Sequence, residues 1–346
     1  MSDPKPKSSG TPSAASSELD PDLLDKIRAL KEKYGTTGQD LPAYLEGLLY
    51  TDYLNYWDYI HLDALLGLQT PRTEFPDEMV FIVYHQTTEL YFKLVRWEQE
   101  QLADDPHLTA ETFLMRLERM NRYFKILITS FEVMVEGMEP AQFRKFRMAL
   151  LPASGFQSVQ YRLIELASTD LINLVNRDQR EGLRGASLEA MYQEVYWKRG
   201  ATELATGDET LTLQHFERKY RDELLRTAHR FQEKNLWQKY LTLDVDDVQR
   251  ETVKVAMRAF DLSVNVTWPM AHLRSAGKYL HREPEVIAAT GGTNWQKYLP
   301  PRFQQRIFFP ELWEESERSA WGTRAMSNEK RNGYVASSEE TSPKSD

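Results

Sequence analysis

Apolar residues recur every three or four positions along most of this chain of 346 residues, which is the spacing of an amphipathic helix. The first such stretch has Asp20 as an N-cap, Pro21 at the first helical position and Gly35 at its end. No segment alternates convincingly between apolar and polar residues, as paired strands do. The pattern therefore predicts an all-α fold. Further helices are expected over about residues 54–68, 77–104, 109–137, 140–150, 156–176, 187–203, 211–235 and 247–280.

Polar segments without periodicity flank these helices. Residues 1–19 and 326–346 have this character, so we expect disordered tails at both ends. No shift in composition divides the remainder, which predicts a single helical domain over residues 20–325. Within it, about residues 201–245 could form a helical hairpin inserted into the domain. The adjacent glycines of "TGGT", residues 290–293, predict a loop.

The composition excludes several classes of function. The chain has no cysteine, which rules out disulfides, thiolate metal ligands, a thiolate nucleophile and covalent c-type haem attachment. A formal net charge of −9 disfavours a general binder of nucleic acid or of anionic membranes. We find no apolar signal-peptide core and no run long enough to span a membrane, so we expect a cytoplasmic protein.

A histidine stands in the middle of the apolar stretch "FIVYHQTTELYFK", residues 81–93. Phe81 and His85 are four residues apart and Phe92 lies two turns further on, so they share a helix face. A core histidine bonded to Glu89 or to a backbone carbonyl is the commoner explanation of such a residue. The functional alternative is a histidine that lines an apolar pocket and makes one hydrogen bond with a ligand.

A second stretch, "PAQFRKFRMALLPASGFQS" at residues 140–158, places Phe143 and Arg147 four residues apart. An arginine is suited to a bidentate grip on a carboxylate, although a surface arginine paired with an acidic residue is the commoner case. Ser154 and Gly155 offer a hydroxyl group and a close approach of the backbone to a ligand. They also have the character of a simple N-cap for the next helix.

The third stretch, "VTWPMAHLRSAGKYL" at residues 266–280, carries His272 four residues after Trp268. Pro269 predicts a kink in this helix. A lone helical histidine is the usual way to hold haem iron from one side, but a satisfied core histidine looks the same and is more common. The other histidines show no spacing typical of zinc or di-iron sites: His61, His107, His215, His229 and His281.

Residue chemistry thus predicts a helical protein with an apolar pocket near His85, but it names no reaction. The stretches above, taken together and in this order, resemble the tryptophan 2,3-dioxygenase family over about residues 50–315. "HQTTEL" and "PASGFQSVQYR" are highly specific together, whereas the Gly-Gly loop is not specific by itself. The motifs that carry the resemblance are "LNYWDYIHLDALLGLQTP", "DEMVFIVYHQTTELYFK", "FRKFRMALLPASGFQSVQYRLIE", "WPMAHLRSA", "ATGGT" and "FFPELW".

The resemblance implies a mostly helical enzyme that binds haem b, ferrous in its active state. Its pocket would lie within a helical bundle, and the protein would form a homotetramer in which an N-terminal helix enters a neighbouring subunit. Members of this family use O2 to oxidise the indole ring of L-tryptophan in tryptophan catabolism. The C2–C3 bond is cleaved, and the product is N-formylkynurenine.

The same resemblance implies roles for individual residues. His272 looks like the proximal iron ligand, with Trp268 beside it in the proximal-side motif, and His85 resembles the distal histidine that bonds the indole N–H. Phe81 and Phe143 would pack against the indole. Arg147 would bind the substrate carboxylate, and Thr290 would bind its ammonium or carboxylate end. Ser154 would lie near the haem edge. The helix with Tyr56, Tyr59 and Ile60 would enter the neighbouring subunit's site.

Several positions depart from the family pattern. Tyr91 stands where tryptophan is usual, Ile60 replaces a leucine, and the loop reads "ATGGTNW" where "GTGGSSG" is typical. Ile60 and the loop are expected near the amino-acid end and the side-chain carbons of the substrate. A modified tryptophan such as β-methyl-tryptophan is therefore an alternative substrate, and insertion of a single oxygen atom to give an oxindole is an alternative outcome.

Two rivals come from other classes of function, namely a haem-binding sensor or carrier without turnover and a helical interaction protein without haem. The combination of His85, Arg147 and Thr290 argues against a carrier, because a carrier needs no amino-acid clamp. Haem binding itself would exclude the interaction protein.

Overall fold

The chain divides into two compact units, Met1–Leu68 and Gln69–Asp346. The composition carries no sign of this boundary, and a single functional domain over residues 20–325 stays a prediction. Ser154, Thr290 and both expected tails, apart from Ser327, lie outside the residues that the structure describes. The computed structural model describes residues 20–35, 40–50, 55–150, 155–199, 201, 208–282, 285–286, 300–325 and 327.

The N-terminal unit consists of short helices with little core of its own. Its first two helices pack together, and the rings of Tyr34 and Tyr44 stack with centroids 5.5 Å apart. Among its described helical residues only Leu41 is buried. The helices of this unit are α1 (Pro21–Gly35), α2 (Leu41–Leu49), α3 (Tyr56–Tyr59) and α4 (Leu62–Leu66).

The described residues of the larger unit are helical or irregular, apart from one very short strand pair. Its helices are α5 (Asp77–Asp104), α6 (Ala110–Ser130), α7 (Glu132–Glu136), α8 (Pro140–Phe146), α9 (Val159–Ser168), α10 (Arg177–Arg180), α11 (Leu188–Gln193), α12 (Tyr196–Arg199), α13 (Leu211–Phe231), α14 (Leu236–Leu241), α15 (Asp247–Leu262), α16 (Trp268–Leu280), α17 (Pro301–Gln304) and α18 (Glu315–Ser319). Short 3₁₀ turns occupy Arg147–Leu150, Gly155–Gln157, Leu171–Leu174 and Pro310–Leu312. The strands β1 (His281–Arg282) and β2 (Glu285–Val286) pair antiparallel.

The core of this unit forms around α6. Its apolar side chains Phe113, Leu117, Met120 and Phe124 recur at helical spacing and are completely buried. The helix begins at the N-cap Thr109, whose hydroxyl accepts the backbone N–H of Thr112, at 3.2 Å. Helices α5 and α15 pack against α6, and α9 and α13 extend the core.

Helices α15 and α16 form one continuous helical run that is interrupted by a π-helical turn at Ser263–Thr267. In this turn the Trp268 N–H donates to the Ser263 carbonyl, five residues back. Pro269 follows at once, and its ring would clash with the carbonyl of the residue four positions earlier in a regular α-helix. The irregularity that the sequence predicts at Pro269 therefore takes the form of a widened turn.

A buried carboxylate ties the C-terminal segment to this helical run. Asp261 accepts the backbone N–H groups of Phe308 and Phe309, the indole N–H of Trp313 and the side-chain amide of Asn265, at 2.8–3.2 Å. Burial raises the pKa of Asp261 to about 6, and the four donors oppose that shift. The "FFPELW" motif is thus anchored on the last turn of α15.

The all-α prediction is confirmed, and the differences from it are local. The expected helix over 156–176 ends at Ser168, because Thr169 is extended and its hydroxyl donates to the Phe308 carbonyl. Helix α2 and the two-residue strands were not anticipated. The region around 201–245 contains α13, which packs on α9 and α11, and whether it is an insertion stays a prediction.

In the described part of the chain, no helix is long and apolar enough to cross a membrane.

Candidate functional site

Helix α5 brings Phe81 and His85 onto one face, as the sequence predicts. Their rings overlap with centroids 4.0 Å apart. Phe81 also approaches two rings of α8, those of Phe143 at 6.1 Å and Phe146 at 5.7 Å. Phe81 and Phe143, the two phenylalanines expected in the substrate pocket, therefore lie near each other, and Phe81 lies beside His85.

One hydrogen bond defines the tautomer of His85. Its Nδ1 lies 2.7 Å from the Phe81 carbonyl oxygen, and a carbonyl oxygen can only accept, so Nδ1 carries the hydrogen. Parts of His85 are accessible to solvent, yet protein atoms surround the imidazole closely enough that desolvation lowers its pKa. The ring is therefore neutral near pH 7, and Nε2 is left as a hydrogen-bond acceptor.

Glu89 does not form the hydrogen bond with the His85 ring that the sequence allowed, although its charge acts on that ring. Both the carbonyl and the carboxylate of Glu89 accept the side-chain amide of Gln160, at 2.7 and 3.0 Å. This contact joins α5 to α9 and leaves the backbone carbonyl as the partner of His85.

His272 projects from α16 into the same aromatic region. Its ring lies 6.0 Å from that of Phe131, which in turn contacts Trp268 at 4.7 Å and Tyr84 at 5.6 Å. Tyr84 completes a chain of rings, because it lies 5.9 Å from His85. Burial, with a smaller contribution from nearby His85, lowers the pKa of His272 to about 4. The two imidazoles are thus electrostatic neighbours, and His272 is neutral near pH 7.

Gly155 meets the edge of the His272 imidazole. A Cβ atom added at Gly155 would lie 3.3 Å from Cε1 and 3.8 Å from Nε2 of that ring. The residue beside the Cε1–Nε2 edge of His272 is therefore a glycine, which presents only main chain, and any larger residue would fill that space.

Arg147 follows α8 directly and is buried, with 5% of its surface exposed. Desolvation lowers the pKa of this guanidinium from its usual value, although arginine remains charged at every physiological pH. Four residues earlier, Phe143 packs against Tyr279 of α16, with centroids 4.7 Å apart. The chain therefore places a buried cation next to the aromatic cluster, in agreement with the sequence.

The remaining predicted site residues are described only in part. Ser154 and Thr290 lie outside the described residues. Tyr56 and Tyr59 belong to α3 of the N-terminal unit, with 70% and 73% of their surfaces exposed, and Ile60 is the C-cap of that helix. Their entry into a neighbouring subunit's site stays a prediction.

Sequence reasoning missed two residues that shape the site, Phe131 and Tyr279. Phe131 contacts both His272 and Trp268, and it lies two turns after Phe124, at the C-cap of α6. The helical spacing of Phe124 and Phe131 was the signal in the sequence that could have identified Phe131. Tyr279 donates its hydroxyl to the Met134 carbonyl, at 2.5 Å, and so fastens α16 to α7. Nothing local in the sequence distinguishes Tyr279, because its partners lie far away along the chain.

The residues present fit a haem group held by one histidine. The His272 ring is neutral, as an iron ligand must be. Among the described residues there is no group of three or more histidine or acidic side chains that could hold a bare metal ion. An iron ion at His272 would therefore need most of its ligands from elsewhere, as a porphyrin supplies them.

Comparison with known proteins agrees with this geometry. A family model described as tryptophan 2,3-dioxygenase matches residues 46–267, more than half of the chain. The chain belongs to the tryptophan 2,3-dioxygenase family. The match includes Phe81, His85, Phe143 and Arg147 but ends five residues before His272.

Individual members of the tryptophan 2,3-dioxygenase family match over different lengths. Over 118 residues the chain is 46% identical to the tryptophan 2,3-dioxygenase of Ruegeria sp. (strain TM1040), covering 34% of this chain and 42% of that protein. It is 29% identical over 289 residues to that of Polaromonas naphthalenivorans (strain CJ2), covering 75% and 90%. It is 28% identical over 290 residues to the tryptophan 2,3-dioxygenase of Exiguobacterium sibiricum, covering 78% of this chain and 95% of that protein. The strongly similar part thus spans about two fifths of the first relative's length.

Proposed function

We propose that this protein is a haem-dependent oxygenase that cleaves the C2–C3 bond of the indole ring of L-tryptophan, or of a close derivative, with O2. The product would be N-formylkynurenine, which retains both oxygen atoms, one on each of the separated carbons. The observation that carries this proposal is the pair of neutral histidines, His85 and His272, that face one aromatic cluster.

His272 would hold the iron of haem b, with Trp268 and Phe131 packed beside it and Gly155 facing its edge. The bound haem would supply activation of O2 in its ferrous state. The aromatic surroundings would exclude water from the reacting atoms.

His85 would orient the substrate. Its Nε2 is an acceptor, and an indole presents one N–H donor, so the two groups are complementary. Phe81 and Phe143 offer flat apolar surfaces for the ring. Because indole is electron-rich, the reaction needs no strong base, which suits a histidine whose role is to accept one hydrogen bond.

Arg147 would bind the substrate carboxylate, since a charged amino-acid end in an apolar site needs a cationic partner. Thr290 would bind the ammonium or carboxylate end, and Ser154 would lie near the haem edge. We further propose a homotetramer in which Tyr56, Tyr59 and Ile60 enter a neighbouring site. A location in the cytoplasm is part of the same proposal.

The test is mass spectrometry of the product that the reduced, haem-loaded protein forms from L-tryptophan and ¹⁸O₂. Two labelled oxygen atoms with the absorbance of N-formylkynurenine are expected. One labelled atom would instead indicate the oxindole-forming reaction. If the haem spectrum is intact but no product forms, β-methyl-tryptophan becomes the next substrate to test.

His272→Ala is the control for the haem assignment, and it should lose haem or the iron–histidine bond. A colourless wild-type protein that refuses added haemin would refute the proposed enzyme, whereas a variant with unchanged haem content and spectrum would refute His272 as the iron ligand.

A further inference from the structure

The π-helical turn Ser263–Thr267 leaves one backbone carbonyl without its helical donor. In the spacing of this turn, the residue five positions after Val264 is Pro269, which has no N–H group. The Val264 carbonyl is buried, and a buried carbonyl without a hydrogen bond is costly.

A side chain from another helix supplies the missing donor. The hydroxyl of Tyr161, on α9, donates to the Val264 carbonyl at 2.9 Å. Arg306, which lies 6.0 Å above the Tyr161 ring, has only donors to offer, so the hydroxyl hydrogen is free to point at the carbonyl. Tyr161 therefore supplies the hydrogen bond that the backbone N–H of residue 269 would donate to the Val264 carbonyl if that residue were not proline.

The widened turn also determines which way His272 points. A π-turn adds one residue to a helix, and one residue corresponds to about 100° of rotation. When the extra residue is left out of the count, His272 falls on the same helix face as Phe260. Both rings accordingly lie beside aromatic residues of α6 or of its C-cap. Phe260 lies 5.7 Å from Phe124, and His272 lies 6.0 Å from Phe131, two turns further along. Without the insertion, His272 would face away from Phe131.

The segment that carries Tyr161 reaches the His272 helix at a second point. Gly155, six residues before Tyr161, faces the imidazole edge itself. The segment 155–161 therefore makes two contacts with this helical run. Gly155 lies beside His272 on α16, and Tyr161 bonds the Val264 carbonyl in the π-turn.

We propose that Tyr161 is a positioning residue for His272. Its hydroxyl holds the π-turn in place, and the turn directs the imidazole of His272 into the site; this inference rests on the proposed role of His272 as the iron ligand. Removal of the hydroxyl leaves Val264 unsatisfied, so the turn rearranges and the ring changes its orientation relative to the iron.

The test compares Tyr161→Phe with wild type by resonance Raman spectroscopy of the ferrous haem-loaded protein, where the iron–histidine stretching band reports ring orientation. We expect a shifted or split band and faster haem release. The matched control is Tyr192→Phe, which also removes a buried hydroxyl, one that donates to Glu217 at 3.0 Å in another part of the unit. It should leave the band unchanged.

A wild-type band in Tyr161→Phe, or an equal change in Tyr192→Phe, would each overturn the positioning role. A wild-type protein that binds haem without an iron–histidine band, or whose band survives His272→Ala, would refute the ligand assignment instead.

Discussion

At the scale of a single residue, one hydrogen bond limits what His85 can do. Its Nδ1–H is committed to the Phe81 carbonyl, and the surrounding protein atoms lower the pKa of the ring, so Nε2 is left as an acceptor near pH 7. An acceptor can bind an indole N–H but cannot protonate the substrate. In the proposed enzyme, His85 would therefore recognise and orient the substrate.

This assignment predicts how His85→Ala changes substrate preference. Wild type should prefer L-tryptophan to 1-methyl-tryptophan, which lacks the N–H donor. The variant should lose about 1 kcal/mol of that discrimination, roughly fivefold in the ratio of kcat/KM values, because one hydrogen bond is removed. Steady-state kinetics with both substrates measures the ratio.

His229→Ala is a suitable control, since His229 bonds only the exposed Glu189 among described residues and should keep the wild-type ratio. An unchanged ratio in His85→Ala, with haem content preserved, would show that His85 does not read the indole N–H.

At the scale of elements, the helical run α15–α16 depends on contacts made by distant segments. Asp261 binds Phe308, Phe309 and Trp313 at the end of α15, and Tyr161 satisfies the turn that follows. Each of these groups is buried, so none can exchange its partner for water. The helix that carries His272 is thus held by contacts from two distant segments of the protein.

Asp261→Asn should destabilise the fold by about 2–4 kcal/mol, because the new amide group turns a donor toward existing donors and loses bonds to a charged acceptor. Urea unfolding at pH 8 measures this effect, since a carboxyl with a pKa of about 6 is ionised there.

Asp246→Asn provides the comparison at the opposite end of α15. Asp246 is the N-cap, and asparagine caps a helix as well as aspartate does, so stability should hardly change. Equal effects of the two substitutions would contradict the clamp at Asp261.

At the scale of the whole molecule, the N-terminal unit exposes a large apolar surface. Leu49 and Tyr50, at the end of α2, have 84% and 79% of their surfaces exposed, and the rings of α3 are similarly open. Exposed large apolar side chains are frequent at interfaces with another chain. It supports the proposed homo-oligomer.

Leu49→Asp combined with Tyr50→Asp should therefore lower the mass of the oligomer, measured by size-exclusion chromatography with light scattering. Burying two carboxylates in an interface is costly unless they find cationic partners. Val248→Asp, at a comparably exposed site (77%) in the first turn of α15, should leave the mass unchanged. A wild-type protein that is monomeric at all concentrations would contradict the oligomer itself.

The site could be predicted from the sequence where its members lie on one helix. Phe81 with His85, and Phe143 with Arg147, are pairs four residues apart, and helical geometry alone brings each pair to one face. Tyr161 and Tyr279 could not be found this way, because their partners lie on other segments of the chain, and no local pattern reports such contacts.

What the sequence determined by itself was therefore local. Helices α1 and α5 have the predicted bounds, because caps and apolar periodicity act over a few neighbouring residues. Tertiary structure decided the end of α9 at Thr169 and the face of His272. In both cases a buried polar group, the Thr169 hydroxyl or the Val264 carbonyl, bonds a partner from a distant segment, and that partner comes within reach only once the chain has folded.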